Sequence, residues 1–244
     1  MNFTYNIFKS ILKILYFIIF GILIGFISSN NFFSTNCNPI LLSNLTTTKA
    51  NSLPWYDKKF YYKGLVSVLQ YNSNIVVDLR YATNNNFTKK QIYDKSICLL
   101  QEKTLKKLIS ANEEFNSLGY KIKIWDAFRP KHIQLYLWDL IKDRRFIASP
   151  YVNWSRHNRG SAIDITLVTM DNKELEMPTG FDTFSEKSYR NALDISENAK
   201  KNSELLSSIM IKHGFKTIDT EWWHFDDSNA DIYPLIDLDF SHLP

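Results

Sequence analysis

The chain opens on an uncharged apolar run, Ile14 to Ile27, behind Lys9 and Lys13. A charged start followed by an apolar stretch is the layout of a targeting segment. As a helix these 14 residues reach about 21 Å, short of the roughly 30 Å hydrocarbon layer, although the uncharged Ser28–Phe33 extends the run toward spanning length. Residues 1–29 are therefore expected to form an apolar helix acting as a signal peptide or a membrane anchor. The lysines then stay inside and the remainder is exported, to the periplasm or to the outer face of the inner membrane. Residues 30–53 are rich in Asn, Ser and Thr without apolar periodicity, and read as a linker to a folded domain over 54–244.

Within that domain the pattern shifts between a period of two and a period near 3.6. Gly64–Tyr71, Asn74–Arg80 and Tyr120–Phe128 are short β-rich runs, and Ala162–Val168 alternates Ile163, Ile165 and Leu167 against Ala162, Asp164 and Thr166. The aromatic-dense Thr220–Phe225 is read as a further strand. Leu105, Leu108, Ile109, Phe115 and Leu118 share a helical face that ends at Gly119. Lys131–Phe146 after Pro130, and Lys201–His213 before Gly214, carry the same helical spacing. Strands and helices mixed irregularly predict an α+β fold, a single domain with a small, mainly antiparallel sheet flanked by helices.

Composition narrows the chemistry. Only 7 of 244 residues are Gly, and Gly21 and Gly25 lie in the apolar run, so neither common glycine-rich phosphate cradle can be assembled. Three of the 29 basic residues, Lys9, Lys13 and Lys49, precede the first acid, Asp57, which leaves 26 bases against 25 acids beyond them. That balance supplies no footprint for nucleic acid. Two cysteines make no disulfide framework. Cys37 reads as a linker thiol, because Asn36 suits a lipidated cysteine poorly, and Cys98 reads as core within a helix-like apolar stretch.

Of five histidines, His157 stands in a polar turn, Ser155-Arg156-His157-Asn158-Arg159-Gly160, leading into the strand that carries Asp164. A turn followed by a strand lets an imidazole and a carboxylate converge, and a catalytic zinc site takes three protein ligands and keeps one position open. His224, in Glu221-Trp222-Trp223-His224-Phe225, is the candidate third ligand. Glu221 is then the candidate base inside an aromatic wall. Spacing alone leaves these residues open to a structural reading. Arg129, in Trp125-Asp126-Ala127-Phe128-Arg129-Pro130, either holds an oxyanion or carboxylate or forms an ordinary ion pair. His132, His213 and His242 are read as structural.

Together these segments resemble the zinc D-alanyl-D-alanine dipeptidases of the VanX type, within the wider metallo D,D-peptidases. The resemblance spans most of residues 65–226. It is carried by Asp78-Leu79-Arg80-Tyr81-Ala82-Thr83 with Asn86-Phe87-Thr88, by the Trp125–Pro130 segment, by Ser155–Leu167, by Phe181-Asp182, and by Gly214-Phe215 before Glu221–Phe225. One departure is Lys89, where the family usually has Gly after Asn-Phe-Thr.

The resemblance implies a Hedgehog/D,D-peptidase-like fold with one Zn²⁺ per chain on His157, Asp164 and His224. It further implies Glu221 as general acid/base, Arg129 as transition-state stabiliser, and Tyr81, Ser155 and Asp182 lining the pocket around the substrate's termini. The implied reaction is hydrolysis of D-Ala-D-Ala to two D-alanines, a step in cell-wall peptide chemistry, with a small dipeptide as partner and no protein partner. Two alternatives share the same residues: a D,D-carboxypeptidase acting on cell-wall stem peptides, and a zinc-stabilised module without activity. A structural metal site has no need of Glu221 and Arg129, which speaks against the second.

Overall fold

The computed structural model describes residues 60–71 and 74–243. The predicted apolar helix, the linker and Cys37 lie outside these residues. Among the described residues eight strands and three longer helices follow one another as β1 (Tyr61–Tyr62), β2 (Leu65–Ser67), β3 (Val76–Val77), β4 (Leu99–Gln101), α1 (Glu102–Ser117), β5 (Tyr120–Asp126), α2 (Lys131–Ile141), β6 (Ala162–Thr169), α3 (Glu197–Lys212), β7 (Phe215–Thr217) and β8 (His224–Asp227). The α+β expectation holds, with two sheets rather than one: β1-β2-β4, and a five-stranded sheet in the order β3-β5-β6-β8-β7. Among the described residues only the β3–β5 pair is parallel. Among the described residues no helix is long and apolar enough to cross a membrane.

The alternation in β6 decides which face of the sheet is core. Ile163, Ile165 and Leu167 pack with Leu105, Leu108, Ala111 and Phe115 of α1 and with Leu206, Ile209 and Met210 of α3, all buried. At roughly 1.5–3 kcal/mol for each large apolar side chain, this layer is the main stabilising contact between helices and sheet. Asp164 falls on the other face, which is buried as well. A polar residue on a covered face needs partners, and the site described below supplies them.

Both predicted glycine stops appear, with Gly119 at φ 86° after α1 and Gly214 at φ 84° after α3. Ser196 caps α3 by accepting from the Ala199 N–H at 3.0 Å, which starts that helix four residues before the predicted Lys201. The helix predicted to run from Lys131 to Phe146 stops at Ile141 instead. Lys142 turns into the left-handed region at φ 49°, and Asp143 then captures the chain, its carbonyl accepting from Phe146 and Ile147 and its carboxylate from the Arg145 N–H. The redirected segment forms part of the site's rim. The run 64–71 is strand only over Leu65–Ser67 before a 3₁₀ turn, and Asn74–Arg80 only over Val76–Val77. Thr220–Trp223 is a turn, and the strand begins at His224. Cys98 is buried as expected, but it immediately precedes β4 rather than lying in a helix.

Candidate active site

Three neighbouring strands bring their polar residues into one row. Asp164 of β6 is in register with His224 of β8, and directly opposed residues of an antiparallel pair carry Cβ atoms about 4.5–5.5 Å apart. On the other side, β5 pairs Ile124 with Ile165 and then Asp126 with Asp164, with an irregularity between them. Trp125 is the extra residue of this bulge. It turns Asp126 onto the face that carries Asp164, where regular pairing would send it toward the core.

The fourth member arrives from a turn. Ser155 accepts from the His157 N–H at 3.2 Å and opens the 3₁₀ turn Arg156–Arg159. Gly160 closes the turn at φ 67°, where a Cβ would stand 2.2 Å from Leu65 Cδ2, so any other residue would have to displace Leu65 and hold a strained backbone. His157 is thereby delivered to the row. Its Nε2 lies 3.2 Å from His224 Nδ1 and 3.4 Å from Asp164 Oδ2, and His224 Nδ1 lies 3.0 Å from Asp164 Oδ1.

These contacts have the shape of a metal site. A tetrahedral ion with bonds of 2.0–2.1 Å separates its ligand atoms by about 3.3–3.4 Å, close to the 3.2 Å between the two ring nitrogens, and each nitrogen has one of the two Asp164 oxygens at a similar distance. The outward nitrogens are already committed: His157 Nδ1 faces the Ala127 carbonyl at 2.7 Å, and His224 Nε2 faces Asp226 Oδ1 at 3.0 Å. With a proton on each outward nitrogen, two imidazole lone pairs confront each other beside a carboxylate. Nothing but a cation reconciles them. In the protein alone burial opposes charge on His224, yet Asp226 and Asp164 push its pKa up to about 10. A proton is thus drawn to the place the ion would take. The donor set of two imidazoles and one carboxylate fits zinc and leaves a position open. Among the described residues His157, Asp164 and His224 form the one such cluster.

Glu221 is buried beside them, its Oε2 4.0 Å from His224 Nδ1. Burial pushes its carboxyl well above the ordinary range, and Asp164 and Asp182 push the same way, against His224 and Arg129. Arg129, 6 % exposed, is held from several sides. Its Nε and Nη2 donate to Asp126 Oδ2 at 2.9 and 2.7 Å, Nη1 donates to Gln134 Oε1 at 2.9 Å, and its guanidinium stacks over the Tyr81 ring. Arg129 Nη2 also stands 3.7 Å from Asp164 Oδ2. This is a fixed buried cation at the site, not a surface ion pair.

A cavity of about 180 Å³ joins these groups, lined by Arg129, Ser155, Asp182 and Glu221 and by the three metal-site residues. That is smaller than the roughly 300–1,000 Å³ of ordinary ligand pockets. Arg144 and Arg145 lie at its rim. Tyr81, expected among the lining residues, is corrected to a place behind them. It is fully buried and its hydroxyl donates to Asp182 Oδ2 at 2.7 Å. Burial, with Asp164 and Asp126 nearby, pushes Asp182 up to about 8, although the Tyr81 hydrogen bond pulls it down.

Residues 62–242 match the peptidase M15 family, D-ala-D-ala dipeptidase. The chain belongs to this family. It is a metallo-dipeptidase, a peptide hydrolase. It is 35% identical over 168 residues to the D-alanyl-D-alanine dipeptidase of Escherichia coli K12, covering 69% of this chain and 86% of that one. The D-alanyl-D-alanine dipeptidase of Enterococcus faecium is 34% identical over 61% of this chain and 83% of its own, and that of Enterococcus faecalis 32% over 64% and 89%.

The supporting groups of this dipeptidase were not read from its sequence. Asp126 stands with Arg129 at a strand end from which a side chain can reach a site; Gln134, Tyr93 and Asp226 join them in the folded chain. Tyr93 donates to Asp126 Oδ1 at 2.6 Å, so the carboxylate that holds Arg129 is itself held. For Asp226 a signal existed, since a carboxylate two positions from a histidine on one strand shares its face.

Proposed function

We propose that this dipeptidase hydrolyses D-Ala-D-Ala to two D-alanines, with one Zn²⁺ held by His157, Asp164 and His224, Glu221 as general acid/base and Arg129 stabilising the oxyanion. The observation that carries the reading is that His157, Asp164 and His224 each offer a ligand atom within 4.8 Å of the others, with Glu221 and a fixed arginine on the same small cavity. Zinc bound there supplies Lewis-acid polarisation of the scissile carbonyl and acidifies water. Glu221, its proton affinity raised by burial, takes a proton from the attacking water and returns it to the departing amine. Arg129 meets the developing negative charge without reorganising, because Asp126 and Gln134 already hold it.

Asp182 accepts the substrate ammonium and Ser155 donates toward its carboxylate. The small cavity favours a dipeptide over a continuing chain, which sets this reading above a D,D-carboxypeptidase. The likeness to D-alanyl-D-alanine dipeptidases of Escherichia coli and Enterococcus supports the same substrate. The test is amino-acid release by the zinc-loaded full chain from D-Ala-D-Ala, beside L-Ala-L-Ala and a stem peptide ending in D-Ala-D-Ala. Cleavage of the D,D-dipeptide alone is expected. Preference for the stem peptide would move the activity to the carboxypeptidases, and inertness with stoichiometric zinc would leave a binding module.

Tyr81→Phe is expected to raise KM for the dipeptide about ten- to hundredfold with little change in kcat, the equivalent of one hydrogen bond to a charged group. The hydroxyl donates to ionised Asp182, so its loss moves the carboxyl further above about 8. The pH at which KM improves therefore shifts upward. An unchanged KM profile against pH would remove Tyr81 from substrate binding.

The lysines at 9 and 13 and the run Ile14–Ile27 support an exported protein, periplasmic or anchored in the inner membrane, with residues 1–29 as signal or anchor, 30–53 as linker and 54–244 as catalytic domain.

A further inference from the structure

The two imidazoles of the triad are supported in different ways. His157 Nδ1 meets a neutral backbone carbonyl, that of Ala127, at 2.7 Å, whereas His224 Nε2 meets the carboxylate of Asp226 at 3.0 Å. Asp226 lies two residues along β8 from His224 on the same face of the strand, and its side chain is nearly buried. Its second oxygen, Oδ2, stands 3.6 Å from Arg156 Nε, and Arg156 Nη2 reaches Asp231 Oδ1 at 3.3 Å. Arg156 is the residue before His157. The carboxylate of Asp226 therefore bridges the strand that supplies one candidate ligand and the turn that supplies the other.

We propose that Asp226 is the positioning residue of the metal site. It fixes the His224 tautomer with the proton on Nε2, aims Nδ1 at the ion and raises the electron density of the ring, while Arg156 holds the carboxylate in place. A carboxylate behind a ligating imidazole makes it a better donor than a carbonyl does, and such partners carry about 10- to 100-fold in metal affinity. The inference rests on the metal-site reading above and adds a residue that does not touch the ion.

The experiment is zinc affinity of the metal-stripped full chain, measured by competition with a chromophoric chelator, for wild type, Asp226→Asn and Asp226→Ala. Visible spectra of the cobalt-substituted proteins and the melting temperatures of the metal-free ones are recorded alongside. Asp226→Ala is expected to weaken zinc about 10- to 100-fold and to change the cobalt spectrum. Asp226→Asn, whose amide oxygen still accepts from Nε2 without the charge, is expected to fall between. Asparagine also guards against misfolding, since it keeps the side-chain shape. Zinc affinity within twofold of wild type in both variants, with an unchanged cobalt spectrum, overturns the proposal and leaves Asp226 as an ion-pair partner of Arg156. A wild-type chain that takes up no zinc overturns the metal reading itself, and the proposal with it, so the two failures are told apart by the wild-type arm.

Discussion

Glu221→Gln is expected to cleave D-Ala-D-Ala about 10²–10⁴-fold more slowly than wild type while binding the same amount of zinc, the range general acid/base groups contribute. At 1.36 kcal/mol per tenfold this is about 3–5 kcal/mol of transition-state stabilisation. Glutamine keeps the volume and polarity of the side chain but cannot carry a proton from water to the amine. Glu221 stands beside the ligands without being one of them, its Oε2 4.0 Å from His224 Nδ1, so its substitution is expected to leave them in place. Initial rates together with bound zinc per chain make the measurement. A variant with more than a tenth of the wild-type rate would exclude Glu221 as the proton carrier.

For Arg129→Lys the expected loss is about 10²–10³-fold, nearly all in kcat, as for removal of one oxyanion donor. The charge survives this substitution, so the loss reports geometry. Arginine spans Asp126 and Gln134 with separate nitrogens and sets its guanidinium over Tyr81, 5.5 Å from the ring centre, and a point-like ammonium on a flexible stem cannot do all three. Arg129→Ala adds a structural penalty, because Asp126 is then a fully buried carboxylate without its cation, which costs about 3–5 kcal/mol. Comparison of kcat with melting temperature across the two variants separates the effects. A lysine variant with wild-type kcat would reduce Arg129 to a scaffold for Asp126.

Local pattern was informative where one physical cause dominated. The alternation of β6 assigned Ile163, Ile165 and Leu167 to the core and Asp164 to the opposite face, and the stops at Gly119 and Gly214 followed from their freedom at positive φ. The candidate ligands were legible as residue types in suitable company, a turn before a strand and a histidine after a glutamate. The helix predicted through Phe146 failed because its apolar spacing continues past Lys142 while the backbone does not. Side-chain and carbonyl bonds around Asp143 compete successfully with the next helical turn.

The sequence by itself thus determined the class of fold, the family and the chemical inventory of the site, since these depend on periodicity, turn residues and the ordered motifs. Tertiary structure alone decided how that inventory meets. The register of β6 against β8 set Asp164 opposite His224, and one bulged residue, Trp125, brought Asp126 to the same face. Packing put Tyr81 behind Asp182. The physical reason is one of range. Periodicity records which face of an element is apolar within a few residues, whereas register, bulges and contacts between residues 60 to 101 positions apart are selected by the packing of whole elements.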